Sequence, residues 1–269
     1  MVATDLDGTL LRSDGSVSAR SRDALRAAAD AGLAVAFVTG RPPRWLDVLA
    51  EPTGYTGVAV GANGAVLYDM TEARLVSAHL LAPELMIEIG TDLRAEFPEV
   101  AFAVEYGDGF GSEPDYIHEW DINPPYDRLG VPIADPLVGP LDEIAADPAV
   151  KLLAKDAEAD PDAFLAAAIA LVGDRATITH SSSFGLLEIS VYGVTKATGL
   201  AELAEVHGIA PHEVLAVGDM PNDVPMLQWA GQSYAVANAH QEVLDVAANV
   251  IGSNDDDAVA ELIESLLSR

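Results

Sequence analysis

The sequence predicts an α/β protein: a parallel-sheet core interrupted by an inserted α+β domain. Three observations predict it. Short apolar strands alternate with helix patterns at both ends of the chain, the rhythm of parallel strands joined by crossovers. Between about residues 81 and 185 that rhythm gives way to helices and mostly antiparallel strands. Acid-bearing turns directly follow an apolar strand at each end: Asp5-Leu6-Asp7-Gly8-Thr9 after Val2-Ala3-Thr4, and Gly218-Asp219 after Val214–Val217. The expected boundaries are 1–80 and 186–269 for the core and 81–185 for the insert.

The elements justify this in order. Asp-x-Asp at a strand end sets both carboxylates at the carboxyl edge of the sheet, where open α/β sheets bind ligands. Ser18 suits an N-cap for a helix running to Asp30, with Gly32 to end it. Leu33–Val38 is an apolar strand leading into Thr39-Gly40-Arg41-Pro42-Pro43, whose prolines suit the first turn of a helix over 43–51. Val58–Val60 is a further strand, and Asn63-Gly64 carries hairpin-turn chemistry toward strands at 66–68 and 75–78. The insert then reads as a helix over 83–97, strands at 100–104 and near Phe110, and a proline-rich stretch from Pro124 to Pro136. A strand at 149–154, a helix at 161–172 and strands at 176–180 and 186–191 follow. Thr195 suits a cap for a helix over 196–206, and the core rhythm resumes with a strand at 214–217. A helix at 224–229, a strand at 234–237 and helices at 241–247 and 255–267 finish the chain.

Composition narrows the function. The 269 residues carry a formal charge of −29, which argues against nucleic acid or an anionic membrane as a partner. Half the residues are hydrophobic, so a folded core is expected. There is no cysteine, which excludes disulfides, thiolate catalysis and thiolate-bound metals. Six scattered histidines show no metal-ligand spacing; His118 and His180 merit attention, and His118 stands with Trp120 in an aromatic and acidic run. No leader-like stretch and no membrane-length apolar run occur, so the expected compartment is the cytoplasm. The expected assembly is a monomer or small homo-oligomer.

The chemistry lies in four pieces: Asp5-x-Asp7-Gly-Thr, Thr39-Gly-Arg41, Lys196 at a helix start, and Gly218-Asp219-x-x-Asn222-Asp223. Two carboxylates at one strand end call for a cation, and a hard, oxygen-loving ion such as Mg²⁺ fits. One aspartate can attack phosphorus while the other moves a proton. Thr39 offers a hydroxyl, and the helix expected after it offers its N–H groups, to a phosphate oxygen. Lys196 supplies a positive charge, Asp219 closes the metal site, and Asp223 holds either Lys196 or a metal-bound water. Arg41 divides evenly between a phosphate contact and an ion pair. Asn63 reads as a turn residue before a substrate contact.

Together these residues resemble the haloacid dehalogenase-like (HAD) phosphatases, and more narrowly the Cof-type branch with a large α/β cap. The resemblance spans the chain: Asp-Leu-Asp-Gly-Thr-Leu-Leu, Val-Thr-Gly-Arg, the Asn63-Gly-Ala turn, Leu-Glu-Ile before Lys196, and Gly-Asp-Met-Pro-Asn-Asp-Val-Pro-Met-Leu. It implies a Rossmann-like core with a cap and a Mg²⁺-dependent phosphomonoester hydrolase using an aspartyl-phosphate. The implied substrate is a small phosphorylated metabolite such as a sugar phosphate. It implies Asp5 as nucleophile and Asp7 as acid/base, with Thr39, Gly40, Lys196 and Asn222 at the phosphate. Asp5, Asp7 (through its backbone carbonyl) and Asp219 would hold Mg²⁺, with Asp223 and Arg41 in support. Ala197 stands where relatives commonly have glycine, and only four residues precede Asp5 where relatives have a fuller first strand.

Two other functions are weighed against this one. A sugar phosphomutase needs several cations in the cap for a second phosphate. Between residues 81 and 190 only Arg94, Arg128, Lys151, Lys155 and Arg175 are available, and they are dispersed. A non-catalytic ligand-binding protein on the same fold would have no need of the intact acid set.

Overall fold

A computed structural model of the chain describes residues 1–107, 109–116, 137–180 and 185–268. His118, Trp120 and the proline-rich stretch lie outside the described residues. In chain order the strands are β1 (Val2–Thr4), β2 (Val35–Phe37), β3 (Val58–Gly61), β4 (Val66–Asp69) and β5 (Arg74–Ala78). Then come β6 (Ala101–Glu105), β7 (Phe110–Ser112), β8 (Leu137–Val138), β9 (Lys151–Lys155), β10 (Ala176–Thr179) and β11 (Leu186–Val191). Last are β12 (Leu215–Gly218), β13 (Gln232–Ala235) and β14 (Asn249–Val250).

Contacts divide the chain into two compact units. The first comprises Met1–Arg41, Leu46–Ser77 and Thr195–Arg269. Its sheet is parallel in the order β14-β13-β12-β1-β2. Such strands are buried on both faces, which is why Val2, Ala3 and Val214–Val217 are uniformly apolar. One face packs on the helices Ala19–Asp30 and Ala258–Leu267 through Leu25, Ala28, Val259 and Ile263. The other packs on Lys196–Val206 and Val224–Trp229 through Leu200, Leu203, Met226 and Leu227. The expected caps form: Ser18 accepts from the Ser21 amide and Thr195 from the Thr198 amide. The helix expected over 43–51 is instead a 3-10 turn, Pro43–Trp45, followed by a helix over Asp47–Thr53.

The chain runs outward from β1 to β2 and later returns to β12 on the other side of β1. The sheet order therefore reverses between β1 and β12, a position where the diverging connections leave a crevice at the carboxyl ends. Thr4 is in register with Val217, and the Asp5 amide donates to the Val217 carbonyl at 3.0 Å. Asp5 and Asp219 thus leave the sheet side by side. β3, β4 and β5 form a separate three-stranded sheet, joined to the strand end at Val38 by a parallel bridge to Val60.

The second unit comprises Pro42–Trp45 and Ala78–Val194. Its sheet, β10-β11-β9-β6-β7-β8, packs one face on the helices Pro83–Glu96 and Pro161–Val172. Two corrections follow. β11, expected at the start of the returning core, pairs antiparallel with both β9 and β10, so the insert extends past residue 186. Pro42–Trp45 also groups with this unit, where Arg44 donates to Glu105 at 2.7 Å. Burial pushes the Glu105 carboxyl above its usual range, and Arg44 opposes that shift. His180 is buried in the same unit, with Nε2 3.2 Å from the Asp162 carboxylate.

Candidate active site

After β1 the chain makes one wide turn, Leu6–Leu10, closed by the Leu11 amide donating to the Leu6 carbonyl. Gly8 takes φ +74°, and a Cβ there would lie 2.3 Å from Asp219 Oδ2, so only glycine admits the acid so close. Thr9 then donates its hydroxyl to Asp219 Oδ1 at 2.8 Å. After β12 the loop Gly218–Asp223 folds around Asp223, whose Oδ2 accepts from the amides of Asp219 and Met220 at 3.0 Å each.

Lys196 begins its helix fully buried and closes the arrangement. Its Nζ donates to Asp5 Oδ1 at 2.7 Å and to Asp223 Oδ1 at 2.6 Å. Burial alone would push the ammonium down, but Asp223 and Asp5 outweigh it and hold its pKa above the ordinary lysine range. Burial, opposed by Lys196, leaves the Asp5 carboxyl well above the usual carboxylate range. Burial and the Asp223 charge together push Asp219 up to about 7.

One oxygen from each of Asp5, Asp219 and Asp223 lies within 4.8 Å of the others, and all three residues are buried. Three buried acids facing a single lysine leave unbalanced negative charge, which a proton or a cation must neutralise. The donors are all carboxylate oxygens, the set a hard divalent ion takes. Asn222, in the same loop, has a buried Oδ1 with no hydrogen-bond partner, an acceptor suited to the proton of a metal-bound water. The residues fit Mg²⁺.

The remaining expected residues are placed as follows. Thr39 is buried two residues after β2, and its Oγ1 accepts from the Arg41 amide at 3.1 Å. The Asp7 side chain is outside the acid cluster. Arg41 grips it bidentately with one edge of its guanidinium, Nε to Oδ2 at 2.7 Å and Nη2 to Oδ1 at 2.6 Å. Of the two roles weighed for Arg41, the ion pair is the one formed, though its buried Nη1 keeps no partner. Asn222 donates Nδ2 to Asn63 Oδ1 at 3.0 Å. Sequence reasoning missed Thr9 as the partner of Asp219, although its place in Asp-Gly-Thr is a signal; Asn63 is the turn residue expected, and the contact of its side chain with Asn222 was not foreseen.

Buried acids and a buried lysine thus gather at the switch point of a parallel α/β sheet, a place and a charge pattern suited to phosphoryl chemistry. Residues 2–263 match the model of the haloacid dehalogenase-like hydrolases, and the chain belongs to that family. It is 30% identical over 288 residues to the 5-amino-6-(5-phospho-D-ribitylamino)uracil phosphatase YwtE of Bacillus subtilis, covering 99% of this chain and 98% of that one. It is also 30% identical to YcsE, a phosphatase of the same name from that organism, over 98% of this chain and 94% of the other. Among solved structures, SMU.1108c from Streptococcus mutans superposes with a TM-score of 0.85 at 24% identity, covering 100% of this chain and 98% of that one. The protein is a phosphatase enzyme of this family. Among the described residues no helix is long and apolar enough to cross a membrane.

Proposed function

We propose that the protein hydrolyses a small phosphate monoester, with Mg²⁺, through a phosphorylated Asp5. The observation that carries this reading is the buried set Asp5–Lys196–Asp223 with Asp219 beside it. Asp5, Asp219 and the Asp7 backbone carbonyl would hold Mg²⁺, with Asp223 in reach. When bound, the ion neutralises phosphate charge and polarises the P–O bonds.

Asp5 attacks phosphorus with one carboxylate oxygen; the bond from phosphorus to the leaving oxygen breaks, and that oxygen takes a proton from Asp7. Water then attacks phosphorus, the bond from phosphorus to the Asp5 oxygen breaks, and the water gives a proton back to Asp7 as inorganic phosphate departs. Asp7 enters the first transfer as the neutral acid, so it must release the Arg41 guanidinium and take up a proton from solvent before the leaving oxygen departs. Thr39 Oγ1 still has its proton to donate to a phosphate oxygen, because it accepts from Arg41. Lys196 keeps positive charge against Asp5 throughout. The insert supports hydrolysis over mutase chemistry: Arg94 pairs with Glu113, Lys151 with Glu188, and Arg175 with Glu88 and Asp92, so these cations are already neutralised.

The similarity to phosphatases named for a phosphorylated ribityl compound supports a phosphorylated sugar or polyol as substrate class. The test is phosphate release by the purified protein across a panel of sugar, polyol and nucleotide phosphates, with Mg²⁺ and with EDTA. Release from esters of the first two classes that disappears in EDTA is expected; none from any ester would overturn the reading. Asp7→Asn should lower turnover of a sugar phosphate by roughly 10²–10⁴, the usual worth of acid/base catalysis. Pre-steady-state release of nitrophenol from nitrophenyl phosphate should fall less, because that leaving group needs little proton donation. Equal losses for both would remove Asp7 from the acid role.

A further inference from the structure

The loop between β3 and β4 is more strained than its connection requires. Gly61 pairs with Val66, so four residues join the strands, and such loops are most often built on a type I turn with negative φ. Here three successive residues have positive φ: Ala62 at 51°, Asn63 at 56° and Gly64 at 99°. Ala62 is fully buried and has no polar side chain to offset that conformation. Strain of this kind persists only where its surroundings enforce it, and it concentrates where a site needs exact placement.

The surroundings are three of the four motif segments. The Ala62 amide donates to the Arg41 carbonyl and the Asn63 amide to the Thr39 carbonyl, each at 2.9 Å. A trans peptide points its C=O and N–H in opposite directions, so fixing the Thr39 carbonyl on the turn aims the Gly40 amide away from it. Gly64 abuts the start of the Lys196 helix: a Cβ there would lie 2.0 Å from the Thr195 carbonyl oxygen. The Asn63 side chain takes the third segment, accepting from Asn222 Nδ2. That bond fixes which end of the buried Asn222 amide is the donor, leaving its second N–H for another oxygen.

Resting on the phosphatase reading above, we propose that Asn63 is a positioning residue for the phosphate. Its backbone holds the Thr39 carbonyl and its side chain sets the Asn222 amide. The strained turn is what lets one residue do both.

Asn63→Gly tests the side-chain arm without disturbing the turn, since glycine accepts positive φ freely. Binding of inorganic phosphate with Mg²⁺ present is measured by calorimetry, beside KM and kcat for nitrophenyl phosphate and the melting temperature. The expected result is a Kd for phosphate weakened by about tenfold, the scale of one lost buried hydrogen bond, with KM rising in step and kcat within about threefold. In an Asn222→Ala background, Asn63→Gly should add less than about twofold, because the two act through one bond. A phosphate Kd unchanged by Asn63→Gly, with or without a lowered melting temperature, overturns the proposal, as does an equal loss whether or not Asn222 is present. Wild-type protein that neither binds phosphate nor hydrolyses any ester would overturn the phosphatase reading itself, and this proposal with it.

Discussion

Asp5→Asn is expected to reduce turnover by on the order of 10⁴–10⁶ while leaving the protein folded, the scale seen when an enzyme loses its nucleophile. The amide has nearly the shape of the carboxylate and still accepts from Lys196 Nζ, now 2.7 Å from Oδ1. It lacks the anionic oxygen that attacks phosphorus and is a poorer ligand for a hard cation. Stability should move the other way. The Asp5 carboxyl is held well above its normal range, first by burial and then, against the pull of Lys196, by the charges of Asp223 and Asp219. A carboxyl with a raised folded-state pKa is destabilising when ionised, so its loss at neutral pH relieves the fold. The melting temperature in EDTA should equal or exceed that of the wild type. Near-normal turnover in a folded variant would show that Asp5 is not the nucleophile.

Lys196→Met carries the second large effect, on stability first. The side chain is fully buried and is shared between Asp5 and Asp223. Methionine matches its length and leaves the acids without their cation. Removing one member of a buried ion pair costs about 3–5 kcal/mol. For a chain of this size that corresponds to a fall in melting temperature of roughly 6–20 °C in EDTA. Mg²⁺ should recover part of the loss, since an ion bound by the folded state alone stabilises it by mass action. Turnover should remain low even with saturating Mg²⁺, because the phosphate has also lost its fixed positive neighbour. A melting temperature within about 2 °C of wild type in EDTA would mean the acids are not held together by this lysine.

Much of this site was legible in the chain because its parts are local. Asp5 and Asp219 sit directly after short apolar strands, and strand-then-acid is readable without knowing which strands pair. Thr195 and Ser18 cap their helices through the next turn, again a matter of neighbouring residues. What could not be read depends on distant partners. Leu186–Val191 has an alternation that serves either sheet equally well. Glu188 within it is neutralised by Lys151, 37 residues away, and that pairing accompanies its place in the insert. Arg41 chooses Asp7 across 34 residues, and a phosphate would have satisfied the same guanidinium. Asn63-Gly64 announces a turn, but nothing local shows that the turn's amides meet Thr39 and Arg41 or that its side chain meets Asn222. Pro42–Trp45 looked continuous with the core until Arg44 met Glu105.

The central claim, that Asp5 carries the phosphoryl group, is tested most directly by trapping. An aspartyl phosphate is an acyl phosphate, and borohydride reduces it to homoserine while ordinary carboxylates survive. The protein is quenched with borohydride during turnover of a phosphate ester with Mg²⁺, and its peptides are mapped by mass spectrometry. The account predicts homoserine in place of Asp5 and at no other acidic residue, with the signal lost when ester or Mg²⁺ is left out. Reduction at a different aspartate, or steady phosphate release with Asp5 unmodified at every quench time, would contradict it.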